Sequence, residues 1–177
     1  MSDHAETHPA LWTEEDLLAK CRWTFSRASG PGGQNRNKVE TSAQIEFLPT
    51  GELGQASECR SQNENRKVAL QRLRCKLAID LRSVPPGDRK QPSEECLTLW
   101  GKYCRHGRVN ISEDNWDWPA VLSVVLDLLA MAEWDLQVAS ESLQVSSSQL
   151  IKLLKKNRLA FAKLNQERMA RGKHSLT

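Results

Sequence analysis

The groups in this chain best suited to chemistry lie in one run, Ser26-Arg27-Ala28-Ser29-Gly30-Pro31-Gly32-Gly33-Gln34-Asn35-Arg36-Asn37-Lys38. Three glycines surround one proline, and polar side chains that can hydrogen-bond follow. Glycine tolerates positive φ and carries no side chain, so the backbone there can approach a ligand closely. Such a loop suits insertion into a narrow site built by something else. It lacks the Lys-Ser/Thr ending of a phosphate-binding P-loop. It also has no Ser-His or Cys-His pairing within reach, so a nucleophilic triad is unsupported. Glycine content alone fits an ordinary surface hairpin equally well.

The elements around the run are those that would hold it. Residues 22–26 mix Trp, Thr and Phe and read as a strand. Residues 39–48 alternate, with Val39, Thr41, Ala43, Ile45 and Phe47 on one side, which predicts a half-buried strand. Pro49-Thr50-Gly51 is a turn signal, and residues 53–59 would then form a weak third strand of poor strand formers. Residues 63–81 place Val68, Leu70, Leu73, Leu77 and Leu81 near helical spacing, with Lys and Arg elsewhere, and predict an amphipathic helix with a basic face. Upstream, residues 1–16 read as a disordered or loosely held tail, in which Thr13 can cap a short helix with Asp16 three positions on.

The whole string of the loop closely resembles the catalytic loop of class I peptide chain release factors. Residues Phe25 to Gln34 are especially similar to the alternative ribosome-rescue factor B group. Asn37-Lys38-Val39, Leu48-Pro49-Thr50-Gly51, Arg60-Ser61-Gln62 and Asn65-Arg66-Lys67 extend the resemblance over about residues 20–82. It implies a peptidyl-tRNA hydrolase whose loop enters the peptidyl transferase centre of the large ribosomal subunit. Gly32, Gly33 and Gln34 would be the catalytic residues. The Gln34 backbone amide would stabilise charge on the leaving oxygen of the terminal adenosine, and its side chain would shape the space for one water. Gln34 would also be a candidate for N-methylation by a glutamine methyltransferase. Ribosomal RNA contacts would come from Arg27, Ser29, Gly30, Pro31, Asn35, Arg36, Asn37, Lys38, Ser61, Gln62, Arg66 and Lys67. Two features depart from the family pattern. Arg36 replaces a small apolar residue, and the third strand is more polar than usual.

The formal net charge of +3 conceals a strong asymmetry. Residues 20–82 carry 12 Lys/Arg against 6 Asp/Glu, residues 83–150 carry 5 against 10, and residues 151–177 carry 8 against 1. Basic blocks of this kind suit a polyanion or form solvated helix faces. Cys21, Cys59, Cys75, Cys96 and Cys104 are odd in number and include no Cys-x-x-Cys pair, which speaks against a disulfide framework. Cys96, Cys104 and His106 match no common zinc spacing, and neither a metal nor a cofactor is expected. No apolar run reaches the roughly 18 residues of a membrane span. The acidic N-terminus resembles no presequence, so a cytoplasmic protein is expected.

Pro85-Pro86-Gly87 breaks the chain. The expected organisation is a tail over 1–17, a Gly-Gly-Gln domain over 18–83, a linker over 84–96 and a helical domain over 97–177. The fold class is α+β, a short sheet on one long helix followed by an all-helical part. Within that part, residues 97–105 predict a short helix and 108–112 an extended piece. Asp117 caps a largely apolar core helix with Pro119 just inside it. Trp116 and Trp118 either stack on bases or cover a helix end. Residues 138–154 resemble a helix-turn-helix, with Ala139 and Leu143 lining the first helix, Val145 in the turn and Ser146 or Ser147 capping the second. Leu150 and Leu153 would pack that second helix, and Gln144 stands where glycine is usual. The second helix is expected to run on to Arg171, with Lys152, Lys155, Lys156 and Arg158 facing RNA.

No Pro-Ala-Thr or Ser-Pro-Phe tripeptide of the kind used to read stop codons occurs in these residues. The expected function is therefore codon-independent release of nascent peptide from stalled ribosomes, with P-site peptidyl-tRNA as substrate. The alternatives are a factor specialised for damaged ribosomes and a non-hydrolytic RNA- or DNA-binding protein using the helix-turn-helix. A hydrolase of free peptidyl-tRNA lacks the expected His and Asn context.

Overall fold

The computed structural model describes residues 7–27, 40–82 and 92–177. The chain divides into two compact units, residues 1–77 and 78–177. The first is a three-stranded antiparallel sheet packed on one long helix. The strands are β1 (Cys21–Ser26), β2 (Ser42–Phe47) and β3 (Glu52–Ala56), in the order β1-β2-β3. A short helix, α1 (Glu14–Leu18), precedes them, and the long helix α2 (Gln62–Asp80) follows.

The side-chain period of two explains the sheet's inner face. Ala43, Ile45 and Phe47 on β2 are buried, opposite Phe25, Trp23 and Cys21 on β1 and Ala56, Gly54 and Glu52 on β3. The helix stripe that meets them is Asn65, Ala69, Leu73 and Leu77, spaced four apart and all fully buried. The closest approach is at Gly54. A Cβ there would lie 2.2 Å from the Ala69 carbonyl oxygen and 2.7 Å from the Leu73 nitrogen. The polar third strand is a true strand, five residues long, because α2 grips it electrostatically as well. Lys76 pairs with Glu52 at 2.6 Å, and Arg72 binds both the Gln55 carbonyl, at 2.8 Å, and the Glu58 carboxylate. Gly51, at φ 75°, completes the tight turn from β2, where its N–H donates to the Phe47 carbonyl.

The expected loose tail is corrected from His8 onward. Residues Pro9–Leu11 form a 3₁₀ turn with Ala10 fully buried, and Leu17 of α1 is fully buried too. Trp12 meets Phe47 edge-on at 6.0 Å, and the buried Arg74 donates to the Ala10 carbonyl at 2.9 Å. Thr13 does cap α1, exchanging hydrogen bonds with Asp16.

The second unit is mostly helical. Its helices are α3 (Glu94–Tyr103), α4 (Trp118–Met131), α5 (Leu136–Ser142), α6 (Ser147–Lys155) and α7 (Arg158–Ala170). Twelve residues of α4 are buried, as a helix apolar around its circumference requires. Trp118 is among them, so its ring is part of the core and not a stacking surface. Asp117 precedes α4, but its side chain makes no cap bond. Its carboxylate instead accepts from Lys102 at 2.6 Å and Tyr103 at 2.7 Å, fastening α3 to the start of α4. The expected extended piece after α3 is half of a hairpin. β4 (Cys104–Arg105) pairs with β5 (Arg108–Val109). His106 and Gly107 both have positive φ, 50° and 70°, the geometry of a two-residue turn matched to strand twist.

The helix expected to run to Arg171 is two helices. Asn157, at φ −113°, leaves helical conformation and its side chain accepts from the amides of Leu159 and Ala160, so α7 starts afresh. Three helices end alike, with an N–H returning across the last turn. Trp134 donates to Leu129, Val145 to Ser140 and Lys173 to Arg168. The left-handed residues in these ends are Glu133 and Trp134 in the first, Gln144 in the second and Gly172 in the third.

Candidate functional site

Ser29, Gly30, Pro31, Gly32, Gly33, Gln34, Asn35, Arg36, Asn37 and Lys38 lie outside the described residues. Ser26 ends β1 and pairs with Ser42 at the start of β2. Directly opposed strand residues stand about 4.5–5.5 Å apart, so the intervening chain departs and returns at one point of the sheet.

The returning limb is anchored by the first turns of α2. Gln62 donates through its amide nitrogen to the Glu40 carbonyl at 2.7 Å. Asn65 donates to the Thr41 carbonyl at 2.6 Å and the Cys59 carbonyl at 2.9 Å, and accepts from the Cys59 N–H at 2.9 Å. One fully buried amide thus satisfies three backbone groups and ties the loop's root to the turn that opens α2. Removing it would leave buried donors and acceptors unpaired, at about 1–3 kcal/mol each. Ser61 caps the helix, accepting from the Glu64 N–H at 3.4 Å.

The departing limb is braced differently. Trp23 and Phe25 stack with an interplanar angle of 5° and centroids 5.8 Å apart. The guanidinium of Arg66 lies 5.0 Å from the Trp23 centroid and 5.7 Å from that of Phe25. Such cation–π contacts contribute about 0.5–1 kcal/mol at exposed sites. Arg27, Arg66 and Lys67 are all exposed beside the root, together with the acids Glu40 and Glu64. Cys21, at the far end of β1, has its thiol pKa pushed up to about 11 by burial.

Of the residues expected at the site, the structure gathers Ser61, Gln62, Arg66 and Lys67 at the start of α2, beside the loop's root. Lys152, Lys155, Lys156 and Arg158 belong to the second unit. All four are exposed, and Lys156 directs its ammonium group to the Ile111 carbonyl at 2.6 Å. Asn65 and the Trp23–Phe25 pair were not among the expected site residues. A signal for Asn65 is present in the sequence. It continues the Ala69, Leu73, Leu77 series, and a polar residue on a buried stripe requires partners.

The model of the RF-1 domain matches residues 17–110, more than half of the chain. The chain belongs to the RF-1 domain family. Its RF-1 domain match takes in the whole sheet, α2, α3 and the β4–β5 hairpin. Over 94 residues the chain is 50% identical to the chloroplastic peptide chain release factor PrfB1 of Arabidopsis thaliana, covering 52% of this chain and 20% of that protein. It is 49% identical over 80 residues to peptide chain release factor 2 of Acidovorax sp. (strain JS42), covering 45% and 22%. The same factor of Helicobacter pylori (strain P12) is 45% identical over 84 residues, covering 48% and 23%. The chain spans about a fifth of the length of these curated relatives. No solved structure matches it. Among the described residues no helix is long and apolar enough to cross a membrane.

Proposed function

We propose that this protein hydrolyses the ester bond of peptidyl-tRNA on the ribosome, with Gly32, Gly33 and Gln34 as the catalytic residues. The observation that carries this reading is that the RF-1 domain match spans residues 17–110 and includes an intact Gly32-Gly33-Gln34. Relatives over the same stretch are named peptide chain release factors. Water attacks the ester carbonyl carbon, the bond to the ribose oxygen breaks, and the proton passes to that oxygen. Gly32 and Gly33 let the backbone aim the Gln34 N–H at the oxygen as it gains charge, a preorganised donor acting where water is excluded. The anchors on Glu40 and Thr41 support this, because a loop with a fixed root loses less freedom on entering its site. Gln34 is the proposed target of a glutamine methyltransferase.

The finer reading is codon-independent rescue of stalled ribosomes in the cytoplasm, in the manner of the ribosome-rescue factor B group. It is supported by the loop string from Phe25 to Gln34 and by the basic helical stretch over residues 151–177, which lies beyond residue 110, where the family match ends. The test is peptide release by the purified chain from ribosomes holding P-site peptidyl-tRNA, with no mRNA, a sense codon or a stop codon in the A site. Release without mRNA at a rate equal to or above that with a stop codon is expected. Release that requires a stop codon would overturn codon independence. No release under any of the three conditions would overturn the hydrolase.

A further inference from the structure

The cations of the second unit fall into two groups. Three of those in α7 and the segment after it, Lys163, Arg171 and Lys173, are paired with acids. Lys163 and Arg171 both pair with Glu167, and Lys173 pairs with Asp135. Those of the β4–β5 hairpin and α6 are not. Arg105 and Arg108 are exposed and sit directly opposite each other across the two-stranded ladder. Like charges in that position repel, and neither arginine pairs with an acid among the described residues. On α6, Ser148, Lys152 and Lys155 form an exposed stripe opposite the buried Leu150, Leu153 and Leu154. Lys152, Lys155 and the following Arg158 likewise have no acidic partner among the described residues. Lys155 has only the Phe161 ring, at 5.4 Å, which leaves its charge intact.

The hairpin and α6 form one surface. A Cβ on Gly107 would sit 3.6 Å from the carbonyl of Gln144, in the turn between α5 and α6. β5 packs against α6, and Lys156 at the end of α6 holds the Ile111 carbonyl just beyond β5. The hairpin therefore flanks α6 as a strand-built edge. No Trp, Tyr or Phe occurs in the hairpin or α6, so neither element supplies a Trp, Tyr or Phe platform of the kind that holds single strands.

We propose that the β4–β5 hairpin and α6 together bind the backbone of an A-form RNA duplex. Arg105, Arg108, Lys152, Lys155 and Arg158 contact phosphates, and the Ser148 hydroxyl meets ribose 2′-hydroxyls across the shallow minor groove. The choice of RNA over DNA rests on the release reading, which brings the chain to ribosomal RNA.

The test uses the full chain and a fluorescent RNA duplex of about 20 base pairs, without ribosomes, over a salt series. The DNA duplex of the same sequence and the single RNA strand serve as comparisons. Because no release is measured, failure of the hydrolase reading leaves this outcome independent. The wild type binds the RNA duplex most tightly. The doubles Arg105→Gln/Arg108→Gln and Lys152→Gln/Lys155→Gln each weaken binding about ten-fold at roughly 100 mM salt. Each also lowers the salt slope by about two, roughly one for every phosphate no longer neutralised. Arg105→Lys/Arg108→Lys retains the charge and most of the affinity, which separates a charge effect from misfolding. Wild-type affinity in either Gln double would overturn the composite surface. Equal or tighter binding of the DNA duplex or the single strand would overturn the assignment to duplex RNA.

Discussion

Residues 20–82 and 151–177 carry similar excess positive charge, yet the two units use it in different ways. On α2 the cations build the scaffold. Lys76 and Arg72 hold the polar strand β3, Arg74 is buried on the Ala10 carbonyl, and Arg66 covers an aromatic pair. In the second unit, Lys152, Lys155 and Arg158 face outward without acids, beside two opposed arginines. Net charge per segment thus identifies a basic block but does not say whether it holds the protein together or awaits an anion. Coulomb interaction depends on where the opposite charge lies, and the acids Glu52 and Glu58 are distant from their partners in sequence.

The contrast is tested most severely at the loop. Gln34→Ala or Gly33→Ala should lower peptide release by about 10²–10³-fold, the effect of losing one aimed donor. Affinity for the ribosome should stay near that of the wild type, since the contact area lies elsewhere. Release at the wild-type rate by either variant would remove the catalytic role from the first unit.

Next in size is the scaffold itself. Gly54→Ala places a methyl group against backbone atoms of α2, which cannot swing aside as a side chain could. A loss of about 2–3 kcal/mol is expected in urea unfolding. A change under about 0.5 kcal/mol would show that helix and sheet do not approach so closely.

A smaller effect of opposite sign is expected in the second unit. Gln144 holds φ 54° in the helix end where glycine is at ease, and Gly172 fills the equivalent place in α7. Gln144→Gly should raise stability by about 0.5–1 kcal/mol, relieving the left-handed strain. A melting temperature unchanged or lowered would mean that the Gln144 side chain compensates for its backbone.

The smallest effect is alkaline. Burial raises the Cys21 thiol to about 11, so the folded protein keeps the proton that the unfolded chain releases near about 8.5. The unfolded state then binds fewer protons, and stability should decline as pH rises from about 9 to about 11. Cys21→Ala should remove part of that decline, leaving the share from Cys96 and Cys104, which burial also raises. An identical pH profile in the variant would show that Cys21 is more open to water than its position suggests.

The elements that position the loop were legible where one local period decides them. Alternation in residues 39–48 foretold the inner face of β2, and the leucine spacing foretold α2. The helix-turn-helix positions were readable for the same reason. Ala139, Leu143, Leu150 and Leu153 are buried, and Ser146 caps α6 by accepting from the Gln149 N–H. The break at Asn157 was not legible although its capping residue is present, because the run of cations on both sides suits one long helix equally well.

The sequence by itself determined the α+β class, the strand and helix order around the loop, and the Gly-Gly-Gln string that marks the family. Each depends on the chain's own neighbours, through side-chain period, turn chemistry or a contiguous motif. Only the tertiary structure decided that Asn65 would serve three backbone groups and that Gly54 would be the point of closest approach. It also decided that His8 to Leu18 would pack instead of fraying, and that Arg105 would stand opposite Arg108 beside α6. Those arrangements join residues that chain order alone does not bring together. They form because a buried polar group must find a partner wherever the fold brings one near, whereas an exposed charge is under no such constraint.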